Sequence, residues 1–517
     1  MSKVATQVYT LGSYENHEAS DLPEGWVQAT IGTVADLNPP KPPPDALPLD
    51  APVTFVPMPA VDAYSGTITV PTDRPFGVVR KGYTSFRDND VIFAKITPCM
   101  ENGKAAIVRN LTNGLGFGST EFHVLRSTGA VIPEYLFYYV RQESFRQAAE
   151  ANMTGSVGQK RVPVEFIKNA QLPVPPLSEQ KRIVAKVEEL LARVNAVRER
   201  LAKVPAILKR FRQAVLAAAC SGRLTADWRE KNPDVEPVTQ LLEQIEEARK
   251  IKGLKKEKVL LSESGELPPS WVKAQLSFFI ESMTNGIYKP AKFYSSDGVV
   301  CLRMYNIQDG QVIWKNLKRM NLTSQEIDKY ILKTGDILIN RVNSRELVGK
   351  AAIIRELKES VIFESKNIRL RLIEKDIMPK FVNYCFMTRM VRDVFEADAK
   401  QTVGMATISQ PQISHLSLPV PPISEQQEIV RRVEALFKLA DVIEKRVAAA
   451  TVRAERLTQS ILAKAFRGEL VPTEAELSRS EGRSYEPAST LLAKIEAQRK
   501  DMKPKPKHRQ FRQWRNK

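Results

Sequence analysis

The stretch that decides the fold is Leu-Pro-Val-Pro-Pro-Leu-Ser-Glu-Gln at residues 172–180, which returns as Leu-Pro-Val-Pro-Pro-Ile-Ser-Glu-Gln at residues 418–426. The two stretches lie 246 positions apart and differ by one leucine-to-isoleucine change. A single offset shared by several matching segments is not expected by chance, so the chain consists of two tandem copies. The same offset relates Asp-Val-Ile at 90–92 to Asp-Ile-Leu at 336–338, Gly-Lys-Ala-Ala-Ile at 103–107 to the same letters at 349–353, and Val-Gly at 157–158 to Val-Gly at 403–404.

The copies also share their beginnings and their ends. They begin at Leu-Pro-Glu-Gly-Trp (22–26) and Leu-Pro-Pro-Ser-Trp (267–271), and they end in related segments at 237–250 and 487–500. Between these landmarks they diverge, as a comparison of residues 96–101 with 342–347 shows. A shared framework therefore carries two different surfaces.

Length and composition set the broad class of protein. A chain of 517 residues is long enough for at least two domains. Its 77 lysines and arginines against 59 acidic residues give a net charge of +18, which favours a polyanionic partner. The four cysteines, Cys99, Cys220, Cys301 and Cys385, are scattered, as is typical of the reduced cytoplasm. No apolar run reaches the roughly 18 residues of a membrane helix, so we expect a soluble protein.

Each copy begins with a mixed globular domain. From residue 26 to about 170, short β-rich runs alternate with Gly, Pro, Asn and Asp turns, and residues 133–145 form a predicted amphipathic helix. The second copy repeats this order, with its helix at residues 379–395. Both domains are therefore expected to be α+β.

A long helix follows each proline-rich stretch. Three prolines favour an extended backbone before the helix. Ser178 then provides an N-cap, and Glu179 places a negative charge in the first turn. Apolar residues spaced alternately by four and three predict a coiled-coil seam. Gly222 and Gly468 are expected to end the helices, and Pro205 to kink or divide the first. The predicted seam comprises Ile183, Val187, Leu190, Val194, Val197 and Leu201, with Ile429, Val433, Leu436, Ile443 and Val447.

The apolar stripes of the two helices bury each other if the helices pair antiparallel about a pseudo-two-fold axis. The globular domains then lie at opposite ends of a spacer of roughly 50 Å, comparable to one to one and a half turns of B-DNA. The alternative is an ordinary helical bundle core without a spacing role. A bundle alone does not explain why a divergent, turn-rich domain precedes each stripe.

The landmarks together resemble the specificity subunits of type I restriction-modification enzymes. The resemblance rests on residues 22–26, the two proline-rich junctions, and residues 208–216 and 457–470, and it extends from about 22 to 500. It implies two target-recognition domains, separated by helices, that read a bipartite DNA sequence. The implied organisation is an N-terminal arm (1–21), target-recognition domain 1 (22–176), a central conserved helical region (177–225), a basic connector (226–266), target-recognition domain 2 (267–422), a C-terminal conserved helical region (423–470) and a basic C-terminal tail (471–517).

The resemblance also implies partners and cofactors. We expect two modification subunits that carry methyltransferase chemistry and two restriction subunits that carry a nuclease and an ATP-driven translocase. S-adenosylmethionine, ATP and Mg are expected in those subunits, and no cofactor in this chain. Because the two copies differ in their loops, the two half-sites are expected to differ, whereas identical domains predict a palindrome.

No motif in the sequence predicts catalysis or a metal site. Asn-Pro-Pro-Lys at 38–41 lacks the aromatic residue of an amino-methyltransferase motif, and the glycines of 114–118 lack the spacing of a nucleotide loop. A recognition module fused to a catalytic one, the main alternative, needs such motifs. The acid-x-Lys triplets at 356–358 and 364–366 are better explained as surface ion pairs. The histidines, His17, His123, His415 and His508, are isolated and are expected in the core or on the surface.

Polar and basic loops are the candidate DNA contacts, because phosphates require cations and base edges require paired donors and acceptors. In the first copy three loops combine both, namely residues 95–104, the glycine-rich residues 113–121, and residues 154–161. The alternative is that these side chains merely face solvent. Gly-Lys at 103–104 and 349–350 recurs and is expected in a shared phosphate or framework role, while the basic stretches 249–258 and 499–517 are expected to be solvated. The candidates are Lys95, Thr97, Asn102, Lys104, Ser119, Thr120, Ser156, Gln159, Lys160 and Arg161, then Asn340, Arg341, Asn343, Ser344, Arg345, Lys350, Gln401, Thr402, Ser409 and Gln410.

Overall fold

The computed structural model describes residues 22–156, 158–262, 265–373, 378–402 and 404–502. The predicted N-terminal arm, His17, Val157, Val403, His508 and the tail beyond residue 502 lie outside the described residues. The chain divides into two compact units, a first unit of residues 1–202 and 449–517 and a second unit of residues 203–448. Each unit joins one target-recognition domain to part of each long helix.

The first target-recognition domain mixes short strands with short helices and is followed by a helix of 44 residues. Its 3₁₀ turns lie at Met58–Ala60 and Thr112–Gly114. In chain order the strands are β1 (Val27–Thr30), β2 (Ala35–Leu37), β3 (Pro52–Val56), β4 (Thr72–Pro75), β5 (Thr84–Arg87), β6 (Val91–Ala94), β7 (Ala105–Ile107), β8 (Leu115–Gly118), β9 (Phe122–Ser127) and β10 (Gln171–Val174), and the helices are α1 (Ile31–Val34), α2 (Phe76–Val79), α3 (Pro133–Val140), α4 (Glu143–Ala151), α5 (Val164–Asn169) and α6 (Leu177–Cys220).

Two four-stranded sheets build this domain, in the orders β2-β9-β6-β7 and β4-β3-β8-β5, and β1 pairs with β10. Strand β6 is buried along its whole length. Strand β8 corrects the sequence interpretation of residues 113–121 as one glycine-rich loop, because residues 115–118 are a buried strand. Its glycine at position 116 is needed because a Cβ there would lie 2.2 Å from the ring of Phe86.

The second half of the chain follows the same plan. Its 3₁₀ turns lie at Arg223–Thr225, Leu276–Phe279, Ala291–Phe293 and Met304–Asn306. The helices are α7 (Ala226–Lys231), α8 (Val238–Ile251), α9 (Ser324–Tyr330), α10 (Met378–Met387), α11 (Arg389–Asp398), α12 (Gln410–Ser414), α13 (Ile423–Phe466), α14 (Glu474–Glu481) and α15 (Ala488–Met502). The strands are β11 (Leu261–Ser262), β12 (Val272–Gln275), β13 (Ile280–Asn285), β14 (Tyr294–Ser295), β15 (Val299–Leu302), β16 (Ile307–Gln308), β17 (Gln311–Val312), β18 (Lys318–Met320), β19 (Ile337–Asn340), β20 (Val342–Asn343), β21 (Ala351–Ile353), β22 (Val361–Phe363), β23 (Asn367–Leu372), β24 (Lys400–Thr402), β25 (Met405–Thr407) and β26 (Ser417–Val420).

The second unit also contains two four-stranded sheets, and it adds shorter ones. The orders are β13-β23-β19-β21 and β14-β18-β15-β22, with β11-β12-β26, β20-β25-β24 and the pair β16-β17. A parallel pair occurs in each copy, β3 with β8 and β15 with β22. An ion pair also recurs, because Arg126 grips Asp90 at 2.7 Å and Arg371 grips Asp336 at 2.6 Å, and both aspartates are buried. The repeated sequence thus encodes a repeated α+β fold.

The long helices pair antiparallel within each unit. In the first unit the apolar face of α6 shares a core with Ile461 and Ala465 of α13, and Arg198 lies 3.9 Å from Glu455. In the second unit Arg212 of α6 bonds Asp441 at 2.8 Å, and past the end of that helix Asp227 bonds Arg432 at 2.6 Å. Higher numbers on one side therefore meet lower numbers on the other, which confirms the predicted antiparallel pair.

The predicted seam is only partly buried. Val197 is wrong as a seam residue, because its side chain is 48% exposed. Arg198 takes the inward position instead, since a helix of 3.6 residues per turn drifts away from a strict 3.5-residue stripe. Of the other predicted seam residues, Ile183, Val187, Val194, Ile429 and Val433 are buried, while Leu190, Leu201, Leu436, Ile443 and Val447 are half-buried.

The ends of the long helices are marked by glycine, and Pro205 does not interrupt the first helix. Helix α6 runs through Pro205, so the alternative that this residue divides the helix is wrong. Gly222 and Gly468 adopt φ of 78° and 75°, which glycine tolerates best. A Cβ at Gly222 would lie 2.4 Å from Pro268, and one at Gly468 would lie 2.4 Å from Pro23. Each helix therefore ends against the first residues of a target-recognition domain.

A buried tryptophan–glutamate contact holds the start of each long helix. In the first unit Trp26 donates from Nε1 to Glu179 at 2.8 Å, and the other Glu179 oxygen accepts the backbone N–H of Glu474 at 2.8 Å. In the second unit Trp271 donates to Glu425 at 2.7 Å, and Glu425 also accepts from Thr225 and Arg229. Burial raises the pKa of Glu179. We call these contacts the Trp–Glu latches, and they explain why Ser-Glu-Gln and the tryptophan recur.

Helix α8 contacts the target-recognition domain of the second copy, and helix α15 contacts that of the first copy, at equivalent points. Arg249 is buried and donates to Phe278 O at 3.0 Å, so the expectation that residue 249 is solvated is wrong. Arg499 likewise contacts Thr33 O at 3.2 Å and pairs with Asp36. The apolar face of each helix packs on the domain and brings the arginine to a carbonyl group. In the sequence, the many lysines and arginines nearby made both stretches look solvated.

Within the described ranges, no helix is both long and apolar enough to cross a membrane.

The latches generate a first prediction. Replacing Trp26 or Trp271 with phenylalanine leaves a buried carboxylate oxygen without its donor, so each variant is expected to lose about 1–3 kcal/mol of unfolding free energy. Urea unfolding followed by circular dichroism measures the loss. The matched control is Trp314→Phe, at a site that is 45% exposed, which is expected to change stability by less than about 0.5 kcal/mol. Latch variants as stable as the control would contradict the role given to the latches.

Candidate nucleic-acid interface

Three predicted loops of the first unit meet on one surface. Lys95 N–H bonds Glu121 O at 2.9 Å, Thr97 N–H bonds Lys160 O at 3.1 Å, and Val162 N–H bonds Lys95 O at 2.9 Å. Residues 95–104, 119–121, 154–156 and 158–161, which we call the first loop surface, are therefore contiguous, although up to 66 positions separate them in the chain. The stretch 115–118 does not belong to it, because it forms β8.

The side chains of the first loop surface divide into a free set and a bound set. Thr97 donates to Glu101 at 2.8 Å, Lys104 donates to Met58 O at 3.1 Å, and Arg161 grips Glu121 with two bonds of 2.9 Å. These contacts favour a framework role for Lys104. Lys95 and Ser119 are half-buried, and the free set, which is exposed, consists of Asn102, Thr120, Ser156, Gln159 and Lys160.

A buried histidine supports this surface from beneath. His123 lies on β9, where its Nε2 is 2.9 Å from Val162 O and its Nδ1 is 3.2 Å from the Asn38 side-chain amide. The neutral ring with its proton on Nε2 satisfies both contacts. Burial lowers the pKa of His123 to about 4. His123 is thus a core residue that ties the third loop to the sheet, whereas His415 is exposed.

The second unit has a corresponding surface with a different construction. Strand β20 pairs with β25, so that Val342 lies opposite Thr407. Arg341 joins the pieces, since its N–H bonds Lys366 O and its carbonyl accepts from Ile408, both at 2.9 Å. We call residues 341–347, 366, 400–402 and 404–410 the second loop surface. A hairpin borders it where the first copy has an irregular loop.

Asn340 and Asn343 are wrong as candidate DNA contacts. Asn340 is fully buried and donates to Lys366 O and Asn367, each at 3.1 Å. Asn343 is 7% exposed and donates to Asn340 at 2.7 Å. Their amides satisfy backbone and side-chain groups where β19 ends, because buried polar groups need partners. They hold the loop and are buried beneath its surface.

The remaining candidates of the second unit differ in how exposed their side chains are and in whether those side chains are bonded within the domain. Arg345 is exposed, and Arg341 is half-buried with its Nε lacking a bonded partner. Lys350 is half-buried, and burial lowers its pKa. Ser409 caps α12 through Gln412, and Gln410 donates to Asn285 at 3.1 Å. Ser344 is half-buried, while Gln401 and Thr402 lie in β24, where only their backbone is described.

One exposed aromatic residue of the second unit, Tyr288, was not among the sequence candidates. Tyr288 is 79% exposed, and its neighbour Ile287 accepts a backbone bond from Ser365 at 2.9 Å, beside Lys366 of the second loop surface. An exposed aromatic ring next to a cation is typical of nucleic-acid contacts. The pair Tyr288-Lys289 after a glycine turn was the available signal. The pairing of distant segments that places Tyr288 beside residue 366 cannot be read from the sequence.

The residue types that commonly bind metal ions are dispersed in the described part of the chain. No group of three His, Cys, Asp or Glu side chains there is placed to hold a metal ion. The four cysteines are free, with Cys220 and Cys385 buried and their sulfur atoms 3.4 Å apart. The two loop surfaces instead offer amides, hydroxyls and cations.

Comparison with known proteins identifies this arrangement. Residues 23–206 and 268–450 each match the family described as the type I restriction modification DNA specificity domain. The chain belongs to this family. Both copies match, and the matched ranges contain both loop surfaces. They also contain the first part of each long helix, so the specificity domain of this family comprises a target-recognition domain together with helix.

Curated relatives cover nearly the whole chain. The StySPI specificity subunit of Salmonella potsdam is 31% identical over 498 residues, covering 92% of this chain and 96% of that one. The EcoKI specificity subunit of Escherichia coli K12 is 30% identical over 503 residues, with coverage of 93% and 97%. Both are type I restriction enzyme specificity subunits, so the family resemblance seen in the sequence is confirmed.

Solved structures confirm the fold. The HsdS subunit from Thermoanaerobacter tengcongensis is similar with a TM-score of 0.52 at 21% identity, covering 87% of this chain and 98% of that one. A chain from a structural study of complex assembly and conformational transition of the type I R-M system gives a TM-score of 0.64 at 22% identity, with coverage of 87% and 99%. The two-copy fold of specificity subunits is therefore present here.

His123 generates a pH prediction. Its pKa falls from 6.5 to about 4 on folding, so below pH 6.5 the unfolded chain binds a proton that the folded chain excludes. Stability is therefore expected to fall as pH falls from 6.5 towards 4, by about 3 kcal/mol in all. Urea unfolding at pH 7, 5.5 and 4.5 measures this loss.

A non-titrating variant isolates the histidine. His123→Gln is expected to be less stable at pH 7 but to lack this part of the pH dependence, while the exposed control His415→Gln keeps it. If His123→Gln loses as much stability between pH 7 and 4.5 as the unsubstituted chain, the buried ring is not the source.

Proposed function

We propose that the chain is the noncatalytic DNA specificity subunit of a type I restriction-modification complex. Each target-recognition domain reads one half of a bipartite DNA target, and the halves differ. The observation that carries this proposal is the double family match, at residues 23–206 and 268–450, on two domains with one framework and different loop surfaces. The net charge of +18 supports binding to the phosphates of DNA.

The difference between the loop surfaces supports an asymmetric target. The first loop surface presents Asn102, Gln159 and Lys160 from irregular loops, whereas the second presents Arg345 beside a hairpin. Side chains with different donors and acceptors read different base edges. Two identical readers would read a palindrome, so these two read unlike half-sites.

The conserved helical regions are the proposed docking surfaces for the modification and restriction subunits. Apolar side chains remain exposed on them, which is typical of surfaces that another protein covers. We propose two subunits of each kind, with methyl transfer, cleavage and ATP-driven translocation residing in them. Their S-adenosylmethionine, ATP and Mg would then bind outside this chain. The exposed apolar residues are Val197, Ile207, Leu439, Val442, Val452 and Leu457.

The loop surfaces generate a prediction for DNA binding. Lys160→Gln and Arg345→Gln each remove an exposed cation, so each is expected to weaken binding of target duplex by about 1 kcal/mol and to lower the salt dependence by about one phosphate contact. Fluorescence anisotropy at several salt concentrations measures both. Lys168→Gln, which removes an exposed lysine of α5 outside the loop surface, is the matched control. Equal affinities for all three variants would contradict the assignment of the loop surfaces.

The same proteins test the division of labour. Alone, the chain is expected to transfer no methyl group to DNA, and the chain with its modification subunit is expected to methylate only DNA that carries both half-sites. Lys160→Gln and Arg345→Gln should lower that methylation, while Lys168→Gln should not. Methylation by the isolated chain would instead support the fused recognition and catalytic enzyme.

A further inference from the structure

The first unit contains a polar cleft of about 240 Å³ that the proposed function does not use. Its walls come from a turn of the target-recognition domain, from α3 and α4, and from the parts of α6 and α13 that belong to this unit. Asn102 and Gly103 form one edge, so the cleft borders the first loop surface. The lining includes Tyr64, Arg141, Arg146, Arg198, Glu188 and Glu455.

Three arginines converge on this cleft, and two of them lack an acidic partner among their hydrogen bonds. Arg141 donates to Ala63 O at 2.9 Å and to Tyr64 O, which are neutral carbonyls. Arg146 donates to Glu101 O, again a carbonyl, and its buried Nε has no bonded partner. Guanidinium groups bonded to carbonyls keep their full positive charge, so this charge stays available to a ligand.

The third arginine lies on α6. Arg198 stacks over the ring of Tyr64 at 4.6 Å and lies 3.9 Å from Glu455, beyond ordinary hydrogen-bond distance. Its side chain is 18% exposed, while the ring that it covers belongs to a residue that is 63% exposed. The guanidinium is therefore held in place by stacking, with its donors only loosely engaged.

The charges around Arg141 favour an anion in the cleft. Burial, together with the positive charges of Arg146 and Arg198, lowers the pKa of Arg141 to about 10, against the opposing effects of Tyr138 and Asp62. Glu188 and Glu455 are the acids that line the cleft. Three cations thus face two lining carboxylates, and a bound anion would relieve the repulsion among the arginines.

We propose that this cleft binds a phosphate group, with Arg146 and Arg198 as its ligands and Arg141 as a fixed neighbouring charge. Guanidinium groups match the oxygens of phosphate in geometry as well as in charge. The phosphate is carried either by the DNA backbone that leaves the first loop surface or by a free phosphorylated molecule. Only the DNA source rests on the proposed function.

Thermal unfolding of the full chain in inorganic pyrophosphate tests the site, with chloride added to hold ionic strength constant. The unsubstituted chain is expected to show a saturable rise in Tm. The double variant Arg146→Gln/Arg198→Gln is expected to bind at least tenfold more weakly. Arg193→Gln, which removes a 74% exposed arginine from the same helix, is the matched control and should bind normally. Arg146→Lys keeps the charge and should restore part of the affinity, which shows that loss of binding is not a folding defect.

Anisotropy with duplex DNA then distinguishes the two sources. If the double variant also binds DNA more weakly than Arg193→Gln, with a salt slope lower by about one or two phosphates, the phosphate belongs to DNA. If DNA affinity is unchanged while pyrophosphate affinity is lost, the ligand is a free phosphorylated molecule. The proposal is overturned if neither pyrophosphate nor DNA binding depends on Arg146 and Arg198 beyond the control. A chain that binds pyrophosphate but no DNA would contradict the proposed function and leave the cleft assignment standing.

Discussion

A buried glutamate at the start of each long helix is the contact on which the rest of the chain depends. A carboxylate removed from water is costly unless each oxygen is bonded. Glu179 meets this need with Trp26 and the first turn of α14, and Glu425 meets it with Trp271 and Thr225. Three separate segments must therefore come together at each latch: the first residues of a domain, the helix after that domain, and the residues that follow the other copy's helix. The latches thus tie each copy's domain to the end of the other copy.

This framework explains how the two domains share a fold and differ in what they present. The ion pairs of Asp90 and Asp336 and the paired strands lie beneath the surface and recur in both copies. The loop surfaces contribute little to that core, since their exposed side chains bond few other residues. The exposed side chains of the loop surfaces can therefore change without altering the latches or the sheets. In the proposed function this separation lets one scaffold carry two unlike readers, and it leaves the outer faces of the helices available to partner subunits.

Much of the fold was readable from the sequence because repetition and helical periodicity are local signals. The offset of 246 residues, the mixed domains and the antiparallel helices could be predicted, and the landmark motifs carried the resemblance to the family. The misses depended on tertiary contacts. Val197 faces outward because the helix drifts from a strict heptad, and Asn340 is buried by a strand ending that no local pattern marks. Arg249 lies in a basic stretch but is drawn to carbonyls of the next domain. In the candidate site, the loops meet because of how distant strands pair, and that pairing cannot be read from the sequence. The segments could therefore be predicted, but not which of their side chains stay free of bonds within the domain.

In the proposed function, two unlike readers on one framework define one DNA target. The decisive experiment is to map every methylated base in the genome of a cell that carries this chain and its modification subunit. Two unlike readers should give a single bipartite motif whose two halves differ in sequence and are separated by a gap of fixed length and random composition. A continuous motif, or two halves that form a palindrome, would contradict the proposed function.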